Sequence, residues 1–485
     1  MISGIVLVPL YLKHIPQDIY GAWLATGNIL AWLTIVDPGL SGVLRQRVAA
    51  AYGRGDHQAI GEIISAGLFI NVGVIALIVG GGLLVGATIP SILGHPPGLD
   101  TDLVIKAFSV TILGTGGIVF YYSLDAICKG FQRTLAIGLI QVAVRLTYMV
   151  VLVFLLLGGF GLMALAYGQL FNGLALSVVA AIYLSRCLYR ENIRVRFSMQ
   201  RVRELASLLS FTFFARGLSV LGANMDLVFT ARLLGPVQTP VLALTRRVPE
   251  SVRPLIDRPA YSFLPAISLM YGNNEIPQAK AVLIRLSRTI LWALGLFAVG
   301  FILLNGDFVR LWIGSKFYAG RTINALICLG IVLGTVESSL NGLCFAMGDI
   351  KGTSVNGAVR GTLSVALMLF MGTHWGMTGL VTAPIIAILA TSGWYLPRTF
   401  NRQLDFDSSQ HRALATEALC VLTAGGITGG IFAWFDAVTW SQFALLFVAL
   451  IIVYACALAF LSVVFRAEVA GIVSKFASHL HARVL

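Results

Sequence analysis

The sequence predicts an all-α, polytopic membrane protein of about fourteen transmembrane helices, in two parallel six-helix repeats plus two C-terminal helices. Three observations carry that prediction. An apolar fraction of 58% with only 11% charged residues, and a mean hydropathy of +0.87, lies far outside the range of soluble globular chains. Apolar stretches of about 20 residues, enough to cross a hydrocarbon core of roughly 30 Å, recur from end to end with short polar interruptions. Sequence landmarks return at an offset of roughly 215 to 220 residues, the signature of an internal repeat.

The apolar stretches lie near 1–12, 19–44, 62–90, 103–127, 136–157, 161–184, 206–234, 238–270, 283–304, 322–346, 353–373, 377–396, 414–435 and 441–465. Twelve helical residues rise only about 18 Å, so the first helix is truncated at the start of the chain or is unusual. Its flank, Met1 to Leu12, lacks a charged n-region and a small-residue cleavage site, which argues against a signal peptide. No stretch between the spans is long enough for a soluble domain. The division that follows is 1–190 for helices 1 to 6, 191–410 for helices 7 to 12, and 411–485 for helices 13 and 14 with a cytoplasmic tail.

The landmarks fix the register of the repeat. Ser123-Leu124-x-x-x-Cys128 recurs as Ser339-Leu340-x-x-x-Cys344, and Tyr52-Gly53-x-Gly55-Asp56 answers Tyr271-Gly272-Asn273-Asn274-Glu275. Gly161-Leu162 opens the sixth span as Gly379-Leu380 opens the twelfth, and Arg145 answers Arg360. A doubled membrane bundle is above all a transporter architecture, with substrate held between the halves.

A net charge of +13 would direct a soluble chain toward nucleic acid, but here the cations sort by side of the membrane. Inner loops hold Arg45, Arg47 and Arg54; Lys129 and Arg133; six arginines from Arg186 to Arg203; Lys280, Arg285 and Arg288; and Arg398, Arg402 and Arg412. Outer loops are poorer, and only the loop with Arg310, Lys316 and Arg321 runs against the trend. Both termini are therefore expected in the cytoplasm. The six cysteines lie in spans or at inner loops with no C-x-x-C pair, so no disulfides are expected. His479 and His481 have no third ligand nearby and read as solvated.

Chemistry by the chain itself finds little support. There is no Gly-Lys dipeptide, hence no phosphate-cradling loop of the ATP-driven pumps. Asp100-Thr101-Asp102 and Asp405-Phe406-Asp407 have the Asp-x-Asp form that holds metal-bound sugar nucleotides. Both sit in short loops, and a nucleotide-binding domain needs on the order of 100 residues, so they read as solvated turn acids. No outer loop is long enough for a polysaccharide polymerase or ligase. The chain is expected not to be an enzyme and to need no cofactor or metal.

A charged side chain at the bilayer centre costs on the order of 3 kcal/mol, and this chain concentrates charge in two helices. The eighth span carries Arg246, Arg247, Glu250, Arg253, Asp257 and Arg258, with Pro249, Pro254, Pro259 and Pro265 expected to break it. The seventh adds Arg216, Asn224 and Asp226. Spacings of three, four and seven put Arg246, Glu250, Arg253 and Asp257 on one face, with Arg246–Glu250 and Arg253–Asp257 pairs at i,i+4. Cations still exceed acids, and the planar guanidinium fork suits a phosphate-bearing ligand. The alternative is that these arginines only satisfy carboxylates and carbonyls freed around the prolines. Arg232 is set aside as snorkelling at the outer end of its helix. Asp37, in Asp37-Pro38-Gly39, is either a proton or cation site or a capped helix break near Arg45. Arg145 and Arg360 are expected to pair within each half with Asp125 and Glu337.

The order Pro9-Leu10-Tyr11-Leu12, Tyr20-Gly21-Ala22-Trp23, Asp37-Pro38-Gly39-Leu40, Arg45-Gln46-Arg47 and Gly53-Arg54-Gly55-Asp56 resembles the polysaccharide-type, Wzx-like flippases of the multidrug/oligosaccharidyl-lipid/polysaccharide (MOP) exporter superfamily. The resemblance extends through the six-plus-six repeat and the basic loop between halves. It implies a bacterial inner-membrane protein that turns undecaprenyl-diphosphate-linked oligosaccharide, an O-antigen, capsule or exopolysaccharide repeat unit, from the cytoplasmic to the outer leaflet by alternating access. It implies that the two six-helix repeats form a V-shaped pair of lobes around a cavity lined by helices 1, 2, 7 and 8, which assigns Arg45, Arg216, Asn224, Arg246, Arg247, Arg253 and Arg258 to substrate and Asp37, Asp226 and Asp257 to coupling of a proton or Na⁺. The two extra C-terminal spans resemble the layout of lipid II flippases, where they form a groove for the lipid tail. Expected partners are the polyprenyl-diphosphate-linked oligosaccharide, membrane lipid, and the polymerase and glycosyltransferases of the same pathway, with the chain itself a monomer that binds no nucleic acid. Three alternatives stand beside this reading: a multidrug or organic-cation exporter of the same superfamily, whose cavity would favour acids and aromatics; a membrane glycosyltransferase or polymerase; and a scaffold that transports nothing.

Overall fold

The structure, a computed structural model, describes residues 3–33, 40–94, 99–207, 222, 224–273, 275–471 and 474. Asp37 and Arg216 lie outside the described residues. Among the described residues the α-helices are numbered in chain order as α1 (Ser3–Val6), α2 (Val8–His14), α3 (Gln17–Leu33), α4 (Leu40–Gly53), α5 (His57–Ala87), α6 (Ile89–Leu93), α7 (Thr101–Gly130), α8 (Thr134–Leu157), α9 (Leu162–Arg190), α10 (Asp226–Leu234), α11 (Gln238–Thr245), α12 (Arg247–Gly272), α13 (Ile276–Ile313), α14 (Arg321–Ala346), α15 (Ile350–Ala390), α16 (Ser392–Leu404), α17 (Ser408–Phe432) and α18 (Trp440–Leu461). No strand occurs among the described residues. The fold is all-α and polytopic. Nine helical runs among the described residues are long and apolar enough to cross a membrane, and one of them, Lys351–Leu404, is a merged run of 54 residues.

That run doubles back. Gly376 stands inside α15 at φ 57°, ψ −136°, outside helical space. A Cβ on Gly379 would lie 2.0 Å from the Met371 carbonyl oxygen, although eight residues of straight helix rise about 12 Å. The chain therefore reverses at Gly376, and α15 contains the ends of two spans.

The repeat is visible in how helices end. After Cys128, Phe131 N–H bonds to Ile127 O (3.1 Å), Gln132 N–H to Lys129 O (3.0 Å) and Arg133 N–H to Cys128 O (3.0 Å), with Gln132 at φ 61°. After Cys344, Met347 N–H bonds to Leu343 O (3.0 Å), Gly348 N–H to Phe345 O (3.1 Å) and Asp349 N–H to Cys344 O (3.0 Å), with Gly348 at φ 103°. Both are left-handed C-terminal caps that satisfy the last carbonyls of a helix. The Tyr52 and Tyr271 segments share a closing bond too: Asp56 N–H to Ala51 O (3.1 Å) and Glu275 N–H to Met270 O (2.8 Å). At the sixth and twelfth spans the register differs from the sequence pairing. The conformational counterpart of Gly161 (φ 51°, ψ −127°) is Gly376, not Gly379.

By internal packing the chain divides into two compact units, Met1–Ala243 with Ser354–Pro384, and Leu244–Thr353 with Ile385–Leu485. In the first, Leu44 and Val48 of α4, Ile60 and Ile64 of α5, Tyr121, Leu124 and Ile127 of α7, and Leu176 and Leu184 of α9 form the main core. Helices α7 and α9 touch backbone to backbone: a Cβ on Gly117 would lie 2.7 Å from the Gly173 carbonyl carbon, the small-residue contact that membrane helices use when no hydrophobic drive favours association. The Ser123 hydroxyl, from the repeated motif, accepts from Asn71 Nδ2 at 2.8 Å, tying α7 to α5. Asp125 pairs with Lys129 at 2.7 Å, and Arg145 is exposed on α8. The expected Arg145–Asp125 pair does not form, because a lysine one turn away on the same helix reaches the carboxylate with no tertiary constraint.

In the second unit α12 packs on α13 and α14, with Ile256 against Leu286, Ile290 and Leu294, and Ile267 against Leu283, Leu343, Met347 and Leu404. Helices α17 and α18 pack on α13 through Val421, Ala424, Tyr454 and Leu458. Asp100 and Asp407, from the two Asp-x-Asp triplets, are helix N-caps: Asp100 accepts the Leu103 N–H at 3.0 Å and Asp407 the Gln410 N–H at 2.8 Å. All six cysteines are free thiols.

Candidate functional site

The charged face of α12 is the most developed polar feature of the second unit. Four prolines do not break it: the helix runs from Arg247 to Gly272, and the break falls ahead of it at Arg246 (φ −91°, ψ 4°), between α11 and α12. The correction has a local cause. Pro249 has no N–H for the Thr245 carbonyl four residues back, and that oxygen instead accepts Asn305 Nδ2 from α13 at 3.0 Å. Asn305 also donates to Asn324 Oδ1 at 2.7 Å, and Asn324 Nδ2 donates to the Phe301 carbonyl at 3.2 Å. The Thr245 hydroxyl closes the knot, donating to Phe317 O at 3.2 Å and accepting the Ala319 N–H at 2.9 Å. A buried amide network thus fixes where α12 starts.

Both i,i+4 pairs form. Arg246 Nε lies 2.7 Å from Glu250 Oε1, in the approach of an ion pair rather than a linear hydrogen bond. Arg253 Nε lies 3.4 Å from Asp257 Oδ2. Arg253 also reaches across to α14, where an Nη donates to the Gly334 carbonyl at 2.9 Å. A Cβ at position 334 would sit 3.4 Å from that guanidinium, in ordinary contact with it. One turn further on α14, the Ser338 hydroxyl donates to Asp257 Oδ1 at 3.4 Å. Gly334 and Ser338 escaped the sequence reading because neither is charged; the signal that could have found them is their four-residue spacing beside the repeated Ser339-Leu340 motif.

The remaining site residues are placed as follows. Arg247 begins α12 and its carbonyl accepts the Ser251 hydroxyl at 3.0 Å; Arg258 is exposed. In the first unit, Arg45 is exposed on α4 and Asn224 half-buried. Asp226 opens α10 and its Oδ1 accepts the Leu227 N–H at 2.9 Å. Arg232 donates to the carbonyls of Ser91 and Ile92, closing the end of α6, so its role is to cap a neighbouring helix. Glu337 is buried on α14 and accepts from the Ser392 hydroxyl at 3.4 Å. No group of three or more His, Cys, Asp or Glu that could hold a metal occurs among the described residues.

Between Arg246 and Gly272 the chain carries four arginines, Arg246, Arg247, Arg253 and Arg258, and two acids, Glu250 and Asp257, and an i,i+4 ion pair contributes only about 0.5 kcal/mol. The arrangement can offer guanidinium hydrogens to an anionic group while Asp257 and Gly334 hold Arg253 in place.

An all-helical, multi-pass membrane protein built on an internal repeat, with a cationic helix in its second unit, is the class that fold and site define. A family model described as polysaccharide biosynthesis protein matches residues 3–252, more than half of the 485 residues, and the chain belongs to that family. The fold is similar to that of a solved lipid II flippase MurJ in an inward closed conformation, with TM-score 0.69 at 13% identity over 94% of this chain and 98% of that one. It is similar to an inward-facing multidrug resistance MATE family transporter of the MOP superfamily, with TM-score 0.63 at 14% identity over 81% and 93% of the two chains. An outward-facing MATE family transporter gives TM-score 0.56 at 15% identity over 82% and 92%. No curated protein matches the chain.

Proposed function

We propose that the protein is a flippase that moves undecaprenyl-diphosphate-linked oligosaccharide from the cytoplasmic to the outer leaflet of a bacterial inner membrane by alternating access. The observation that carries this reading is the α12 guanidinium face, with Arg253 held between Asp257 and the Gly334 carbonyl. A diphosphate headgroup matches such a face in charge and in bidentate geometry. Membership of the polysaccharide biosynthesis family supports the sugar part of the substrate.

In this reading Arg246, Arg247, Arg253 and Arg258, with Arg45, Arg216 and Asn224, take the headgroup, the sugars occupy an aqueous cavity and the polyprenyl tail stays in lipid. A proton or Na⁺ at Asp37, Asp226 or Asp257 resets the transporter. Substrate must bind one arrangement more tightly than the other for net movement. The lobes 1–190 and 191–410, the C-terminal pair 411–485, fourteen spans, cytoplasmic termini and a monomeric state belong to the same proposal. A second reading, export of organic cations, is favoured by the fold shared with multidrug transporters and opposed by the basic surplus of α12.

Reconstitution separates the two. Proteoliposomes loaded with undecaprenyl-diphosphate-linked oligosaccharide, under an imposed proton or Na⁺ gradient, are expected to show translocation by the wild type that Arg253→Ala loses. Absence of transport by the wild type, with efflux of organic cations, would overturn the flippase reading.

A further inference from the structure

We propose that the end of α9 and the strap that follows it, Tyr189 to Phe197 together, form a docking surface for anionic phospholipid. The strap is built along α5. Ile193 is buried in the main core of the first unit and anchors it. A Cβ on Gly61 would lie 2.1 Å from the Arg194 carbonyl oxygen, so the strap backbone lies directly on the helix. One turn on, the Ser65 hydroxyl donates to the Arg196 carbonyl at 2.6 Å. One turn further, Phe197 meets Phe69 edge to face at 5.4 Å between centroids. The strap therefore climbs α5 for two turns, about 12 Å, with both backbone carbonyls turned to the helix and both arginine side chains exposed.

The depth of this path identifies the occupant. Helix α5 carries Glu62 and Ser65 near its start and is apolar from Ala66 to Ala87 apart from Asn71, a stretch long enough to span about 30 Å of hydrocarbon. Arg194 and Arg196 thus sit at the edge of the hydrocarbon, where lipid phosphates lie, while Phe197 and Phe69, both exposed, sit just inside it among acyl chains. Tyr189 and Val195 are exposed as well, and a protein surface of this apolarity flanked by arginine suits an interface rather than water. The acids nearby are taken by other cations: Glu62 pairs with Arg201 and Glu191 with Arg133. Arg190, Arg194 and Arg196 have no ion-pair partner among the described residues. A phosphodiester with net negative charge satisfies all of these demands, and guanidinium engages it through two parallel hydrogen bonds.

The test uses the full chain in nanodiscs of dioleoylphosphatidylcholine with dioleoylphosphatidylglycerol as a minority component, and native mass spectrometry of the lipids retained on extraction. Wild type is expected to retain phosphatidylglycerol above its share of the bilayer. Arg194→Gln/Arg196→Gln is expected to lose that preference by about 25-fold, at roughly fivefold per arginine near an anionic surface, with its thermal midpoint in neutral lipid unchanged. Arg194→Lys/Arg196→Lys keeps the charge and is expected to retain most of the enrichment, which keeps the test valid if the glutamine variant misfolds. Retention of phosphatidylglycerol by the glutamine variant at the wild-type level, or loss of it in the lysine variant to the same extent as in glutamine, would overturn the proposal; the first result would leave the arginines to an acidic soluble partner.

Discussion

Gly161 and Gly376 hold the same backbone conformation, φ 51°, ψ −127° and φ 57°, ψ −136°, and stand 215 residues apart, the spacing that also separates Arg145 from Arg360. The region is one that a side chain with Cβ rarely enters. Each glycine turns the chain sharply at the start of the last span of its repeat. The turn itself, rather than the Gly-Leu dipeptide that follows, is what the two halves have in common.

Replacing either glycine by alanine is therefore expected to destabilise the protein by about 1 to 3 kcal/mol, since the strained conformation is set by the hairpin on both sides. Gly138, in the interior of α8 with open space around its Cβ position, serves as the control, where alanine should be neutral or slightly stabilising. Thermal unfolding in detergent reads all three. Equal midpoints for the Gly161 and Gly138 variants would show that the turn tolerates a Cβ and would remove its claim to be the fixed point of the repeat.

Arg253→Ala is expected to abolish complementation of a flippase-deficient strain while membrane abundance stays near wild type. The guanidinium makes an ion pair and a hydrogen bond to a carbonyl, and each charge-assisted contact to a ligand is worth about 1.5 to 3 kcal/mol, so transport should fall by at least tenfold. Arg253→Lys keeps the charge but not the fork and should transport poorly. A drop in abundance that matches the drop in transport would place Arg253 in the framework alone.

Asn305→Ala should cost about 1 to 3 kcal/mol by leaving the Thr245 carbonyl without a donor. A second change isolates the cause: Pro249→Ala supplies the missing N–H and is expected to recover part of the loss in the Asn305→Ala background. Additive losses in a double-mutant cycle would mean that the amide and the proline act independently.

Asp407 caps α17, and the Gln410 backbone N–H and Ser409 hydroxyl hold its carboxyl below the ordinary value of 3.8. A carboxylate whose folded value is depressed contributes stability above the unfolded value, and the contribution disappears as pH falls through the folded value. The difference in thermal midpoint between wild type and Asp407→Asn should accordingly be constant above about pH 5 and shrink below about pH 4. A difference that grows on acidification would reverse the sign and with it the capping account.

Much of the architecture was legible from residues alone, because apolar run lengths and the returning Ser-Leu-x-x-x-Cys word are local. The i,i+4 pairs of α12 were legible for the same reason: helical geometry brings Arg246 to Glu250 and Arg253 to Asp257 without any tertiary information. What failed was long-range. Four prolines in α12 looked like four breaks, yet the helix is continuous, and the Thr245 carbonyl that Pro249 leaves open is taken by Asn305, 60 residues away. Arg145 looked like the partner of Asp125 until Lys129 proved nearer. Gly334 and Glu417 left no mark, one being an uncharged backbone contact and the other a single acid in an apolar span.

Glu417 gives the last prediction. It is buried on α17, 4% exposed, where its Oε2 accepts Trp292 Nε1 of α13 at 3.1 Å and the Ser462 hydroxyl at the end of α18 lies 3.0 and 2.9 Å from its two oxygens. At the opposite end of the same three helices, Asp307 accepts the Ala437 N–H at 2.7 Å and Arg310 donates to the Ala437 carbonyl at 2.7 Å. The C-terminal pair is thus clasped to α13 at both ends, with apolar packing between. Removing the Glu417 carboxylate by alanine leaves the indole N–H and the serine hydroxyl unsatisfied in a dry site, at about 1 to 3 kcal/mol each. Glu417→Gln retains an acceptor and should lose less. Glu417→Leu combined with Trp292→Phe removes both members of one contact and should be more stable than Glu417→Leu alone, since a matched apolar pair leaves nothing orphaned. Thermal unfolding followed by tryptophan fluorescence and by protease cleavage between α16 and α17 measures this directly. If the double variant is no more stable than the single one, the carboxylate is held by something other than Trp292, and the clasp rests on Ser462 and the Asp307 end alone.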